Sequence, residues 1–265
     1  MNELHGPIEN EDTDSCISLQ DGIIYGPVFS RRLGRSLGIN LLSNKCKICS
    51  FNCIYCEYGL TGCYTSVPPE KVIPSVDEVL FAVEKALRKP RSIDCITFSG
   101  NGEPTLHPDF LQILQGIKRL RDDLRPVTKL AVLSNGSQLQ DPNIFSAMRV
   151  VDLPMIKLDG GNAETVEKVN RPVSSISFKD IFDGLNALPR KIIQTMLLDG
   201  VVSTIHGENY LALAETLKAL SPEVVHIYTI ERPPAMRGVK PVAHKTLAAI
   251  QKDLSARFHL KVRAF

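Results

Sequence analysis

Short apolar runs alternate with amphipathic helical segments along almost the whole of this 265-residue chain, and that alternation admits few folds. Strands separated by helices pair in parallel, because a parallel neighbour needs a long crossover, whereas antiparallel neighbours need only a tight turn. Gly38–Leu42, Ile93–Ser99, Lys129–Ser134, Val151–Leu158, Ile192–Leu198 and Val224–Ile230 read as the strands. Ser75 opens one intervening helix as a capping box with Glu78, and Val76, Val79, Leu80, Val83 and Leu87 form its buried stripe. Pro108 stands in the first turn of the next, where Phe110, Ile113, Leu114, Ile117 and Leu120 recur at helical spacing. Six β/α units result, followed by a helix near Lys245–Phe258 and a last strand at Leu260–Ala264. An α/β barrel of this size forms one domain, expected here over residues 19–265.

Apolar residues make up 43% of the chain, enough for a large core. No apolar run approaches the roughly 18 residues needed to cross a bilayer, and the acidic, polar stretch Met1 to Asp14 is unlike a signal peptide. Residues 1–15 carry Glu3, Glu9, Glu11, Asp12 and Asp14 with no Lys or Arg, leaving 31 basic against 24 acidic residues, a net +7, in the remainder. The tail, residues 1–18, is expected to be disordered. The mildly basic body permits a phosphate-bearing substrate without demanding one. Seven cysteines, mostly clustered, suit a reducing, cytoplasmic setting and a metal site rather than a disulfide scaffold.

The cluster itself is Cys49-Ser50-Phe51-Asn52-Cys53-Ile54-Tyr55-Cys56, spaced C-x3-C-x2-C. Cys46 adds a C-x2-C pair, but structural zinc sites separate their two pairs by about 12 to 20 residues, and only Ser50, Phe51 and Asn52 intervene here. A bacterial ferredoxin run has a different order. A cubane iron–sulfur cluster takes four thiolates. Three from one loop leave the fourth iron open to a ligand that is not protein, which means chemistry at the cluster rather than electron relay alone.

Parallel barrels gather their ligand sites at the carboxyl ends of the strands. After the cysteine loop, the second strand ends in Ser99-Gly100-Asn101-Gly102-Glu103-Pro104-Thr105. Its glycines let backbone approach a ligand, and Glu103 offers a carboxylate to an ammonium group. A dinucleotide fingerprint fails because Thr105 stands where the third glycine belongs. The third strand ends in Ser134-Asn135-Gly136 and the fourth in Lys157-Leu158-Asp159-Gly160-Gly161.

From about Tyr25 to Phe265 the chain resembles a radical S-adenosylmethionine (SAM) family that groups with the wyosine-type tRNA modification enzymes. The resemblance rests on Tyr25–Gly34 (YGPVFSRRLG), the cysteine loop, Ser99–Leu106, Asn170-Arg171-Pro172 and Tyr228–Pro234 (YTIERPP). It implies a partial (β/α)6 TIM-like barrel with an N-terminal extension and a C-terminal helix and strand. Cys49, Cys53 and Cys56 would hold a 4Fe–4S cluster. Gly100, Asn101, Gly102 and Glu103 match the element that binds the methionyl amino group of SAM. Ser134 and Asn135 match the ribose contact, Tyr55 the aromatic beside the adenine, and Asp159 is included among the cofactor contacts. The implied chemistry starts with a one-electron donor of flavodoxin or ferredoxin type. Reductive cleavage of SAM follows, and then hydrogen-atom abstraction from substrate.

The substrate is less legible. Wyosine synthases carry three further cysteines before the main loop, whereas only Cys16 and Cys46 precede it here, with Cys63 after it and Cys95 in a strand. Cys16, Cys46 and Cys63 form the one trio left for a second cluster. No cysteine follows Cys95, so the C-terminal auxiliary clusters of many peptide-modifying relatives are absent. The ranking is therefore a small-molecule or nucleotide-like substrate first, tRNA second, and peptide modification or a cluster-bearing electron carrier last. Arg31, Arg32 and Arg35, read as a loop over the barrel mouth, suit bidentate binding of a carboxylate or phosphate. Arg171, Tyr228 and Arg232 are further substrate candidates.

Overall fold

A computed structural model describes residues 16–67 and 73–265; the tail expected over residues 1–18 lies outside them as far as residue 15. The chain opens with strands β1 (Ile24–Ser30) and β2 (Gly34–Ile39). The short pair β3 (Ile48–Cys49) and β4 (Cys63–Tyr64) brackets the cysteine loop. Helix α1 (Val76–Leu87), β5 (Cys95–Phe98), a 3-10 turn at Pro104–Leu106, α2 (Phe110–Leu124) and β6 (Lys129–Ser134) follow. Next come α3 (Pro142–Val150), β7 (Leu153–Lys157), α4 (Ala163–Val169), α5 (Phe178–Ala187) and β8 (Ile192–Met196). The chain ends with β9 (Asp199–Gly200), α6 (Gly207–Leu220), β10 (Val224–Tyr228), β11 (Val239–Lys240), α7 (His244–Phe258) and β12 (Val262–Ala264).

The main sheet runs β1-β2-β5-β6-β7-β8-β10-β12. Only β1 is antiparallel to its neighbour; every other pair is parallel. This is the α/β half-barrel expected, with β12 extending it. Side-chain alternation sorts the sheet into two faces. One face, with Leu37, Ile96, Phe98, Val132, Ile156, Ile193 and Val225, packs under the helices in the large core. On the other, Cys95, Ala131, Met155, Ile192 and Val224 form a small apolar plug near the strand starts. Cys95 is thus the buried core thiol that its strand position implies.

Local signals explain the helix starts. Ser75 and Glu78 cap each other's backbone before α1, Ser177 and Asp180 do the same for α5, and Asn162 caps α4. Such a cap is worth about 1 kcal/mol.

Most strands are shorter than expected by two or three residues, and three other boundaries depart from expectation. The first strand ends at Ile39, not Leu42, because the Asn40 side chain bonds the Leu42 carbonyl (2.9 Å) and amide (3.3 Å), turning the chain. Pro108 lies before α2, whose N-cap is Asp109. The segment from Tyr25 to Leu33 is no simple loop. It forms β1 and a hairpin turn, with a bulge between Tyr25 and Val28, and Arg35 lies within β2.

Candidate active site

The last residues of β6, β7, β8 and β10 are Ser134, Lys157, Met196 and Tyr228, and all four line one cavity of about 370 Å³. Cys49, Cys53 and Cys56 line it from the loop after β2. Its volume falls in the usual range for small-ligand sites.

The cysteine loop is sewn down on both flanks. On one side the Ile48 amide donates to the Asn101 carbonyl (2.9 Å) and the Glu103 amide to the Ile48 carbonyl (3.1 Å). On the other, the Asn52 amide reaches the Asn170 carbonyl (2.9 Å), Ile54 that of Val169 (3.0 Å), and Val173 that of Ser50 (2.9 Å). Gly102 makes the first contact possible. Its φ is +137°, and a Cβ there would lie 1.6 Å from the Ile48 carbonyl oxygen.

The sulfurs sit among hydrogen-bond donors. The Phe51 amide (3.4 Å) and Asn135 Nδ2 (3.8 Å) point at Cys49 Sγ, and Asn170 Nδ2 at Cys53 Sγ (3.4 Å). Burial pushes the Cys49 thiol up to about 12, and raises that of Cys53. The buried Lys47 ammonium, held by the Gly59 carbonyl (2.8 Å), is pushed down by burial but held up on balance by Cys56, Cys49 and Cys53. Buried thiols that ionise reluctantly by themselves, yet have donors and a cation waiting, fit thiolates bound to iron. Among the described residues no three His, Cys, Asp or Glu side chains gather tightly enough for a single metal ion. A cubane takes each thiolate on a different iron, so its ligands stand further apart.

Glu103 is buried, with Oε1 accepting from Thr105 Oγ1 (2.6 Å) and amide (3.1 Å), and Oε2 from the Asn135 amide (2.6 Å). Burial raises its pKa, against the lowering effect of these bonds. Asn135 Nδ2 also donates to Ser50 Oγ (2.9 Å), and Ser134 Oγ accepts from the Gly136 amide (3.0 Å). Gly100, Gly102, Glu103, Ser134 and Asn135 all border the cavity.

Tyr55 lines the cavity with its ring and donates its hydroxyl to Asp159, deep behind it. Burial and the Asp159 carboxylate raise the phenol well above its ordinary value. Asp159 also accepts from Asn170 Nδ2 (2.7 Å) and the Met196 amide (2.7 Å). It does not border the cavity, and serves as an anchor for Tyr55.

Five other anticipated residues also lie outside the lining, among them Arg35, bonded twice to Asp94. Asn101 is turned away, bonding the Gln20 backbone (2.8 and 2.9 Å) and the Ser43 carbonyl (2.9 Å). Arg31 pairs with Glu231 (2.7 Å) and Arg232 with Glu57 (2.8 Å). Arg171, at φ +47°, presents its carbonyl to the Asn52 amide and the Tyr64 hydroxyl. The trio Cys16, Cys46 and Cys63 makes no second site: Cys46 and Cys63 are joined by a disulfide, which corrects the expectation of reduced thiols at that pair.

Arg32 and Tyr228 do border the cavity, and with them come Lys157, Gln194, Lys47 and Tyr25. Sequence reasoning passed over Gln194 and Lys47, and met Lys157 and Tyr25 only as members of longer stretches, without a role. The available signals were the lone cation in the otherwise apolar Leu153–Lys157 and the amide in Ile192–Met196. Lys157 Nζ donates to the Tyr228 hydroxyl (2.8 Å) and lies 4.6 Å from the Tyr55 ring centre. Burial alone would lower its pKa, but Asp159, Tyr228 and Cys53 hold it above the ordinary lysine value.

The sequence profile of the radical SAM superfamily matches residues 43–220. A UPF0026 protein of Helicobacter pylori is 33% identical over 230 residues, 82% of this chain and 69% of the relative. A UPF0026 protein of Synechocystis is 33% identical over 265 residues, 91% of this chain and 95% of the relative. Among solved structures, a radical SAM methyltransferase from Sphaerobacter thermophilus superposes with a TM-score of 0.62 at 16% identity, covering 87% of this chain and 65% of that one. TYW1 with a lysine–pyruvate adduct bound gives 0.56 at 15% identity, covering 83% and 73%. At those identities the structural likeness shows a shared fold. With the profile spanning most of the barrel and relatives one-third identical over four-fifths or more of it, the chain belongs to the radical SAM superfamily, enzymes that work with a 4Fe–4S cluster and SAM.

Proposed function

We propose that this enzyme abstracts a hydrogen atom from a small-molecule or nucleotide-like substrate bound in the cavity above the cysteine loop. The observation that carries the reading is the convergence of three loops on one cavity, with Glu103 tied to the cysteine loop through Ile48 and to the third-strand loop through the Asn135 amide. When bound, the cluster and SAM supply one-electron reductive cleavage of a carbon–sulfur bond and, through it, hydrogen-atom abstraction.

The chain's own residues do the rest. Cys49, Cys53 and Cys56 ligate iron, while Phe51, Asn135 and Asn170 donate to the sulfurs and Lys47 offsets their charge. Glu103 receives the SAM ammonium beside the open backbone of Gly100 and Gly102. Ser134 and Asn135 face the ribose. The Tyr55 ring flanks the adenine, oriented by Asp159 from behind. Arg32 and Tyr228 face the substrate. Met196 and Leu133 supply apolar wall that keeps water away. A one-electron donor and a reducing, cytoplasmic setting complete the reading, with the Cys46–Cys63 pair a local exception to reduced thiols; among the described residues no helix is long and apolar enough to cross a membrane.

A second reading, modification of a base in tRNA, draws on Phe29. It is 84% exposed on the face of β1 opposite the cavity-lining Val28 and Ser30, an outer platform for stacking a base of a bound RNA.

Glu103→Gln tests the SAM assignment. Losing a charge-assisted bond costs about 1.5–3 kcal/mol. SAM affinity of the reconstituted protein, measured by equilibrium dialysis, is therefore expected to fall at least tenfold while the cluster's absorbance persists. Unchanged SAM affinity would remove Glu103 from the site.

A further inference from the structure

We infer that the cavity contains a built subsite for an anionic group of the substrate, a carboxylate or a phosphate, held between Arg32 and Lys157 across Tyr228. The inference deepens the proposed function and rests on it for the identity of the occupant as substrate.

The structure separates Arg32 from its neighbours. Arg31 is neutralised by Glu231, Arg35 by two bonds to Asp94, and Arg232 by Glu57. Among the described residues no carboxylate pairs with Arg32. Its guanidinium donates to the Gln194 amide oxygen and lies 4.4 Å from the centre of the Tyr228 ring. A guanidinium held over an aromatic ring keeps its remaining N–H groups for a planar acceptor.

Lys157 reaches Tyr228 through the hydroxyl and lies 5.3 Å from the ring centre. Its nearest carboxylate, Asp159, is 3.9 Å away and already accepts from Tyr55, Asn170 and Met196. Of the two other carboxylates on the cavity wall, Glu57 is paired with Arg232, and Glu103, held by Thr105 and Asn135, is the one assigned above to the SAM ammonium. Lys47 is turned to the Gly59 carbonyl. The end of the cavity around Tyr228 therefore carries two cations against one nearby carboxylate, Asp159, which stands 3.9 Å from Lys157 and leaves Arg32 without one.

The sheet register adds an independent observation. Lys157 pairs with Gln194 and Gln194 with His226, so three polar residues form one row across β7, β8 and β10. His226 is 5% exposed, and its Nδ1 is buried without a partner. Arg32 and Arg263 are the charged groups around it, and Phe265 packs on its ring at 4.9 Å. Polar groups buried across central strands are costly unless something compensates them. An anion seated over Tyr228 would accept from Arg32 in the paired geometry guanidinium favours, and from Lys157 as a point charge.

The test is anion binding to the full-length, anaerobically reconstituted protein at low ionic strength without SAM, read by calorimetry. Inorganic phosphate and malonate serve as separate probes for the two chemistries. At least one is expected to bind with a dissociation constant of about 1 mM or tighter, and the preferred one assigns phosphate or carboxylate. Arg32→Gln and Lys157→Gln should each weaken it tenfold or more, Arg32→Lys should recover part of the loss, and Arg31→Gln should leave it unchanged. Arg32 stands in a hairpin turn, so its variants keep the test decisive even if Lys157→Gln fails to fold. SAM retention by the Arg32 variants should stay within twofold of the parent. Failure of both probes to bind, or binding indifferent to Arg32 and Lys157, overturns the subsite. So does a parallel loss of SAM, since the pair would then hold the SAM carboxylate. Because the anion signal is read without SAM, a parent protein unable to bind SAM would count against the cofactor assignment and leave this result standing.

Discussion

Cys53→Ala removes the visible absorbance of the reconstituted cluster and leaves a folded, colourless protein. On the ligand assignment proposed above, the loop supplies only three thiolates, so losing one leaves two and the cluster is not held. The backbone around position 53 does not depend on the sulfur: Asn52 and Ile54 are bonded through main-chain atoms to Asn170 and Val169. Deleting one buried sulfur should cost stability by only about 1 kcal/mol. Cys95→Ala is the control, because Cys95 lies in the apolar plug and does not border the cavity. It should cost a similar amount of stability and keep its colour. Iron and sulfide content, read with the thermal unfolding midpoint, separates the two. A Cys53→Ala protein with full iron content would contradict the assignment.

Gly102→Ala should be the most destabilising single methyl in the site. Two costs combine. A residue with a Cβ is strained by about 1–3 kcal/mol at a φ of this sign, and a contact of 1.6 Å with backbone forces movement worth about 1–3 kcal/mol more. The expected loss is about 2–6 kcal/mol in a urea melt. Because the atom met belongs to Ile48, next to the first ligand, cluster incorporation should fall as well. Gly207 gives the comparison: φ is +58°, but nothing lies within 4 Å of a Cβ built there. Gly207→Ala should cost only the backbone strain, about 1 kcal/mol. If the two variants proved equally stable, the close packing of the cysteine loop on the Gly100–Glu103 turn would be wrong.

How far the sequence could be read follows from where each signal is local. The capping box of Ser75 and Glu78 is written within four residues and occurs as read. The apolar strands are buried on both faces, so their runs stand out; Ile192–Met196 and Val224–Tyr228 are buried throughout. Strand β1 was hidden because Gly26 and Pro27 interrupt it and most of its side chains are partly exposed, which erases both period and apolarity. The Cys46–Cys63 disulfide depends on the parallel pairing of β3 with β4, which no local pattern announces.

The cysteine, Ser99–Thr105 and Ser134–Gly136 loops could be picked out because a strand end followed by glycine and polar residues is a local feature. Which side chains then face the cavity was not legible, since that depends on rotation about each strand end. Lys157 and Asp159 are two residues apart, yet Lys157 reaches the cavity and Asp159 is spent behind Tyr55. The three arginines around the hairpin looked equivalent. Their partners Glu231, Asp94 and Gln194 come from distant segments, and those partners decide that only Arg32 faces inward.

The central claim is that a reduced cluster on the Cys49–Cys56 loop drives cleavage of SAM in this cavity. The most direct test is to reconstitute the protein anaerobically with iron and sulfide, reduce it, add SAM, and quantify 5′-deoxyadenosine by chromatography. The account predicts 5′-deoxyadenosine from the parent protein and none from Cys53→Ala. A reducible cluster that neither binds SAM nor forms 5′-deoxyadenosine would contradict it and leave an electron carrier.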